Sequence, residues 1–268
     1  MSKRAFAIAC HPDDLEFGMM GTMMLLKDAG YEVHYMNVSN GSLGTDHHDY
    51  QTIVRMRREE ALNSAKLVGA VFHESICDDI EVFYNYENLA KLVPVVREVE
   101  PEIILTQGPY DYMEDHINAG RLAVTAAFCR GMVNMKCAPT AKPTLQNVAV
   151  YHCMPHSITD QLRRPVEADF YVNIASKMEI KRQALACHKS QKEWLDVSQG
   201  MDAYIKDMEN RAAIFGRQRR NRMSPAEMEQ GWGMFLRISN LESFLSLKFL
   251  PQSFRYKKTE NPAQASGA

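Results

Sequence analysis

The 268-residue chain lacks the features that mark several large classes of protein. It has no apolar run near the roughly 20 residues that a membrane-spanning helix requires. It also has no basic surplus, since 31 lysines and arginines face 33 acidic residues for a net charge of −2. These absences argue against a membrane protein and against a general nucleic-acid binder. The apolar stretch at 5–10 is too short for the core of a secretory signal peptide.

Paired cysteines and a dinucleotide-binding turn are missing as well. The six cysteines are scattered without a Cys-X-X-Cys pair, so we expect reduced thiols and a cytoplasmic protein. No Gly-X-Gly-X-X-Gly motif follows the first predicted strand, which argues against nicotinamide or flavin dinucleotides. Hydrophobic residues at 46% and charged residues at 24% are typical of a globular chain.

Strand and helix patterns alternate through the first half of the chain. Strands are predicted at 5–10, 32–39, 71–76 and 102–106, and helices at 15–30, 51–68, 85–99 and 116–134. Such alternation predicts an α/β protein with a Rossmann-like three-layer fold and a mostly parallel sheet.

The second half is less regular. Strands are predicted at 147–152 and 169–174, and helices at 177–188 and 202–215. We predict a catalytic α/β domain over 1–190 and a helical or irregular C-terminal extension over 191–268 that packs on the same domain. Two interpretations are open for the predicted loop at 216–225: a solvated loop, or a segment with an anion-binding or lid role. Its arginines are Arg217, Arg219, Arg220 and Arg222.

Two polar segments directly follow predicted strands. His11-Pro12-Asp13-Asp14 comes after the first strand, and Asp115-His116 closes the segment after the fourth. Ligands of parallel sheets bind beyond the carboxyl ends of the strands, so we expect these side chains to converge. Two histidines and one aspartate with an open fourth position are the usual ligands of a catalytic zinc. The second aspartate would stay free as a general base, and helix capping is the simpler alternative for either aspartate.

These residues resemble the PIG-L/LmbE-like family of zinc-dependent N-deacetylases. The resemblance rests on 11–14, on Glu16-Phe17-Gly18, Gly21-Thr22, Asn40-Gly41, on 57–61, and on Asp115-His116, and it continues more weakly to Gln191. It implies a zinc ion held by His11, Asp14 and His116, with Asp13 as general base. The implied substrate is an N-acetylated amino sugar or its glycoside.

The chain departs from the family pattern at the second segment. The family usually has His-Pro-Asp-His, whereas this chain has Met113-Glu114-Asp115-His116. Because methionine cannot transfer a proton, three alternatives are open: Asp13 serves as both base and acid, Tyr112, His188 or another group substitutes, or the reaction differs. The resemblance assigns Asp115 to the catalytic group, although the histidine that it normally supports is absent.

The predicted substrate-binding residues are Arg57, Tyr112 and His188. Two interpretations of Arg57 are open, an intrahelical ion pair with Glu60 or a contact with the substrate. The predicted partner is a small amino-sugar molecule, with no nucleic acid or membrane, and a homo-oligomer is left open. Two rival functions are a zinc hydrolase acting on another acyl or glycosidic bond, and a non-catalytic sugar-binding module.

Overall fold

The computed structural model describes residues 3–199, 204–220 and 233–238. Within them, one sheet has the strand order β3-β2-β1-β4-β5-β7-β6. Its strands are β1 (Arg4–Ala9), β2 (Glu32–Asn37), β3 (Val71–His73), β4 (Ile103–Gln107), β5 (Ala149–Cys153), β6 (Phe170–Asn173) and β7 (Gly233–Ile238). The first five are parallel, and β7 is antiparallel to both β5 and β6. The prediction of a mostly parallel sheet is confirmed.

Helices cover both faces of the sheet. They are α1 (Asp14–Gly18), α2 (Met20–Asp28), α3 (Tyr50–Val68), α4 (Tyr86–Val99), α5 (Glu114–Cys129), α6 (Met178–Leu185), α7 (Lys189–Gln199) and α8 (Tyr204–Arg220). Alternate residues of β1 enter different cores: Ala5 and Ala7 pack with α1, α2, α3 and α6, whereas Phe6 and Ile8 pack with α4 and α5. A strand buried on both faces accounts for the continuous apolar run in the sequence, and the three-layer prediction is confirmed.

Two helices of the first half differ from their predicted bounds. The predicted helix at 15–30 is interrupted at Met19, whose φ of −132° leaves the helical region and separates α1 from α2. Helix α5 ends at Cys129 rather than at 134. The buried guanidinium of Arg97 donates hydrogen bonds to the carbonyl oxygens of Arg130 and Met132, at 2.9 and 2.7 Å. These bonds satisfy carbonyls of the loop that replaces the predicted last turn.

The C-terminal part contains structure that the sequence patterns did not predict. Strand β7 joins the sheet, and α7 forms between the helices predicted at 177–188 and 202–215, where no helix was predicted. The predicted loop at 216–225 is wrong for 216–220, because α8 continues to Arg220. One glycine, Gly216, costs a helix about 1 kcal/mol and does not end it when good helix formers follow. Residues 221–225 lie outside the described residues, and the domain boundary at 190 stays a prediction. No helix in the described ranges is long and apolar enough to cross a membrane.

Candidate active site

A cavity of about 390 Å³ opens at the carboxyl ends of β1 and β4. These strands are neighbours in the sheet, with Ala5 paired to Ile103 and Ile8 to Thr106. The polar segment at 11–14 and the start of α5 therefore meet at one edge, as the sequence predicted.

Three donor atoms form a small triangle in this cavity. His11 Nδ1 lies 3.4 Å from Asp14 Oδ2 and 3.3 Å from His116 Nε2. The third side, from His116 Nε2 to Asp14 Oδ2, is 3.3 Å. Zinc bonds of about 2.0–2.1 Å at tetrahedral angles separate neighbouring ligand atoms by about 3.3–3.4 Å. The size of the triangle and the nature of its atoms both fit a zinc ion.

The outer nitrogens of the two imidazoles face carboxylates. His11 Nε2 lies 3.2 Å from Asp115 Oδ2, which also accepts a 2.7 Å hydrogen bond from the Ile80 amide. His116 Nδ1 lies 3.2 Å from Asp111 Oδ2. Burial alone would lower the pKa of His116, but Asp14 and Asp111 outweigh burial and raise this pKa to about 10. Carboxylates in this position orient metal-binding histidines and increase their basicity.

Cys10 is a further group with metal-binding chemistry. Donor atoms of Cys10, His11 and Asp14 lie within 4.8 Å of one another. The Cys10 thiol, however, lies 3.7 Å from His11 Nε2, whereas Asp14 and His116 are near Nδ1 of the same ring. Burial raises the pKa of this thiol, which disfavours the thiolate that a metal requires. The set that surrounds one point is therefore His11, Asp14 and His116.

Asp13 lies beside this triangle in a strained backbone conformation. Its φ of 113° is rare for a residue with a side chain, and such strain is typical of functional sites. The Tyr204 hydroxyl donates a hydrogen bond to Asp13 Oδ2. Burial raises the pKa of Asp13 to about 6, with a further increase from Asp14 and opposing effects from Arg57 and His188. The carboxyl group is thus a candidate for accepting and returning a proton near neutral pH.

Gln107, the last residue of β4, joins the two strand ends. Its Oε1 accepts a 2.8 Å hydrogen bond from the Cys10 amide, and its Nε2 donates a 3.0 Å bond to Asp14 Oδ2. It therefore holds the Asp14 carboxylate in place. Sequence reasoning assigned Gln107 no role; the available signal was an amide side chain directly after the strand predicted at 102–106.

Arg57 lines the cavity although its side chain is almost wholly buried. Its Nη2 donates a 2.7 Å hydrogen bond to the Pro12 carbonyl, and Nη1 donates to the Gln191 side chain. Glu60 instead accepts bonds from the Ser190 amide and hydroxyl, at 2.9 and 2.7 Å. Of the two interpretations of Arg57, the structure favours the one facing the site.

Residues 6–127 match the family described as "PIG-L: GlcNAc-PI de-N-acetylase". The diacetylchitobiose deacetylase of Thermococcus kodakarensis is 30% identical over 199 residues, which cover 70% of this chain and 70% of that protein. This chain belongs to the PIG-L family. Another relative, the 4-oxalmesaconate hydratase of Pseudomonas putida, is 26% identical over 199 residues, or 70% of this chain and 74% of that protein.

A solved structure shares the PIG-L fold of this chain. It is the N,N'-diacetylchitobiose deacetylase from Pyrococcus horikoshii, with a TM-score of 0.72 and 22% identity over 92% of this chain and 88% of that one. The architecture described above is therefore that of the family.

Two of the predicted substrate-binding residues, Tyr112 and His188, lie in different places relative to the cavity. Tyr112 stands at the mouth of the cavity, half exposed, with its ring centre 6.0 Å from that of His116. His188 is not among the described residues that line the cavity. Its Nε2 lies 3.3 Å from Glu16 Oε1, and both side chains are fully buried. The structure therefore places His188 beside Glu16 rather than in the lining of the cavity, and its role as a substrate contact stays a prediction.

Helix α8 contributes two residues that sequence reasoning missed. Tyr204 and Arg211 both line the cavity, and both are buried. Neither belongs to a motif, and both lie about 190 residues or more beyond the first polar segment. Met113 lines the same cavity at the position where PIG-L proteins usually have a histidine.

Proposed function

We propose that this chain is a zinc-dependent N-deacetylase that removes the acetyl group from an N-acetylated amino sugar or its glycoside. The observation that carries the proposal is the triangle of His11 Nδ1, Asp14 Oδ2 and His116 Nε2, with sides of 3.3–3.4 Å. Asp13 lies next to this triangle, and its carboxylate is not one of the three groups that form it. The 30% identity with a diacetylchitobiose deacetylase supports an amino-sugar substrate.

His11, Asp14 and His116 would hold the zinc ion. Bound there, zinc would polarise the amide carbonyl and lower the pKa of a water molecule toward about 7. Asp115 contributes by orienting His11 through Nε2, and Asp111 faces the outer nitrogen of His116. Asp115 is therefore a positioning residue in this proposal rather than a proton carrier.

Asp13 accepts a proton from the attacking water. Because the Tyr204 hydroxyl occupies Oδ2, the other carboxylate oxygen, Oδ1, receives it. The same carboxyl group then returns the proton to the amine nitrogen as the C–N bond breaks, since Met113 has no proton to transfer. His188 is enclosed with Glu16 and takes no part in this transfer.

Arg57 and Tyr112 are the proposed sugar-binding groups. The guanidinium of Arg57 lines the cavity and is held there by the Pro12 carbonyl and the Gln191 side chain. Tyr112 presents an aromatic face and a hydroxyl at the mouth of the cavity. A small glycoside fits a cavity of about 390 Å³.

The direct test is release of acetate from N-acetylglucosamine and from diacetylchitobiose by the purified, zinc-loaded protein. We expect turnover that a chelator abolishes and added zinc restores, and that Asp13→Asn lacks. Zinc-dependent release of a different acyl group or of a sugar would favour the rival hydrolase. Sugar binding without any turnover would favour the non-catalytic module.

A hydratase is the second candidate, and Met113 is the observation that favours it. Adding water across a carbon–carbon double bond releases no amine, and the proton that Asp13 takes from the water would be returned to the second carbon, so a histidine that protonates a leaving amine would not be needed. The 26% identity with a 4-oxalmesaconate hydratase gives this alternative support. Loss of ultraviolet absorbance from a conjugated unsaturated carboxylic acid, with no acetate released from the sugars, would identify it.

A further inference from the structure

Arg211 of α8 enters the cavity with part of its hydrogen-bonding capacity unused. Its side chain is 8% exposed, and Nη2 donates a 2.8 Å bond to the Pro155 carbonyl. The guanidinium carbon lies 5.1 Å from the ring centre of Phe17 and 5.8 Å from that of Phe215. Nη1 is buried and has no hydrogen-bond partner. An unsatisfied buried donor is costly, and each such group calls for an explanation.

The charge of Arg211 is also only partly compensated. Among the described residues, no carboxylate forms an ion pair with Arg211. Asp207, one helical turn earlier, contacts His156 instead, with 3.2 Å between Asp207 Oδ2 and His156 Nε2. Burial lowers the pKa of Arg211 to about 10, and Asp207 opposes that decrease only partly. The guanidinium remains charged at neutral pH.

Lys181 of α6 adds a second buried cationic group nearby. It is 2% exposed, and its Nζ donates a 2.9 Å bond to the Phe17 carbonyl. Burial lowers its pKa to about 7, and Arg211 contributes to the decrease. Lys181 and Arg211 line one small recess, which shares Arg211, Phe17 and Met154 with the main cavity.

Arg97 is a buried arginine with a structural role, and its hydrogen bonds provide a comparison for those of Arg211. Its Nε, Nη1 and Nη2 donate to the carbonyls of Arg130, Ala141 and Met132, at 2.9, 2.8 and 2.7 Å. Every nitrogen of Arg97 is therefore satisfied by main-chain oxygen. Arg211 differs from it in having an unpartnered Nη1 and in lining the cavity.

We propose that Arg211 binds an anionic group, a carboxylate or a phosphate, that the substrate carries on the part remote from its acetamide. This inference rests on the proposed function, because it concerns the same cavity. A guanidinium fork recognises two oxygens of such a group, and stacking on Phe17 keeps the fork in place. Lys181, whose Nζ already donates to the Phe17 carbonyl, is not required to contact the anion.

The test compares three N-acetylglucosaminides: a neutral methyl glycoside, a glycoside of glycolic acid that carries a carboxylate, and N-acetylglucosamine 1-phosphate. KM and kcat are measured for the wild type, for Arg211→Gln and for Arg58→Gln, whose parent arginine pairs with Glu74 on the surface. We expect Arg211→Gln to raise KM for one anionic substrate about 10- to 100-fold, the range for losing a charged hydrogen bond. The KM of the methyl glycoside should change less than about 2-fold, and Arg58→Gln should resemble the wild type. The anionic substrate whose KM rises identifies whether the subsite binds a carboxylate or a phosphate.

Binding measurements separate this inference from the proposed reaction. Calorimetric titration of the same three sugars needs no turnover, and thermal stabilisation by malonate or inorganic phosphate needs no sugar. Anion binding that depends on Arg211 without deacetylation would support the subsite and contradict the proposed function. The inference would be overturned if the ratio of the affinity for the anionic sugars to the affinity for the neutral sugar were the same in the wild type and in a folded Arg211→Gln. It would also be overturned if the anionic group raised neither the affinity for the sugar nor the thermal stability of the wild type. If Arg211→Gln does not fold, Arg211→Lys keeps the charge without the fork, and we expect a smaller loss of the same selectivity.

Discussion

The Tyr204 hydroxyl donates a hydrogen bond to the Asp13 carboxylate across 191 positions of the chain. This contact joins the first residue of α8, which lines the cavity, to the turn after β1. It leaves the other oxygen of the Asp13 carboxylate available for the proposed reaction. The C-terminal part of the chain thus completes a cavity whose proposed zinc ligands come from the first 116 residues.

Removing this hydroxyl tests its role as a positioning group. We expect Tyr204→Phe to retain zinc and to lower kcat about 10-fold with little change in KM, because Asp13 loses its orientation but keeps its carboxylate. The pH profile of kcat/KM should shift as well, which a purely structural defect would not cause. Unchanged kcat and pH profile would contradict the assignment.

The adjacent aspartates should separate metal binding from catalysis. We expect Asp14→Ala to lose zinc, as measured by elemental analysis of the dialysed protein. Asp13→Asn should keep zinc and lose about 100- to 10,000-fold in rate, the usual cost of removing a general base. Asp13→Asn preserves side-chain size, so it controls for packing. Full activity in this variant would exclude the proposed mechanism.

Restoring the family histidine at position 113 probes the proton donor. We expect Met113→His to keep zinc and to raise the rate on an N-acetylated sugar only several-fold. The gain is small because Asp115, which would orient the new imidazole, already contacts His11 Nε2 and the Ile80 amide. A loss of activity would instead indicate that Met113 shapes the substrate pocket, and it would favour the hydratase.

A histidine pair far from the cavity predicts a pH dependence of stability. His34 Nδ1 and His73 Nε2 are 2.9 Å apart on β2 and β3. Burial and His34 lower the pKa of His73 to about 4, and burial lowers the pKa of His34 against the opposing effect of Glu32. Both folded-state pKa values lie below the unfolded value of about 6.5. The contribution of the two neutral histidines to the free energy of unfolding is therefore complete above that pH and is lost as the pH falls toward 4.

Replacing one member of the pair should weaken this dependence. The charged groups that face His34 are Glu32, Arg4 and Glu98, and they remain unchanged in the variant. We expect the urea midpoint of His73→Gln to fall less between pH 7 and pH 4.5 than that of the wild type. Parallel curves for the two proteins would contradict this prediction. His48→Gln, which alters a half-buried residue of the loop before α3, is the matched control.

The sequence by itself determined the alternation of strands and helices and the meeting of the segment at 11–14 with His116. Both are consequences of local pattern: apolar periodicity defines each element, and neighbouring parallel strands end at one edge of the sheet. Helix ends were less predictable, because α5 stops where Arg97, a residue of another helix, binds the carbonyls that follow it.

Only the tertiary structure decided which partner each polar side chain has. Arg57 contacts the Pro12 carbonyl rather than Glu60, Asp115 contacts His11, and His188 is enclosed with Glu16. Tyr204 and Arg211 reach the cavity because α8 packs beside the turn after β1, and nothing in their local sequence indicates that contact. Polar contacts between distant segments depend on how helices pack on the sheet, and that packing is a property of the whole core rather than of any short pattern.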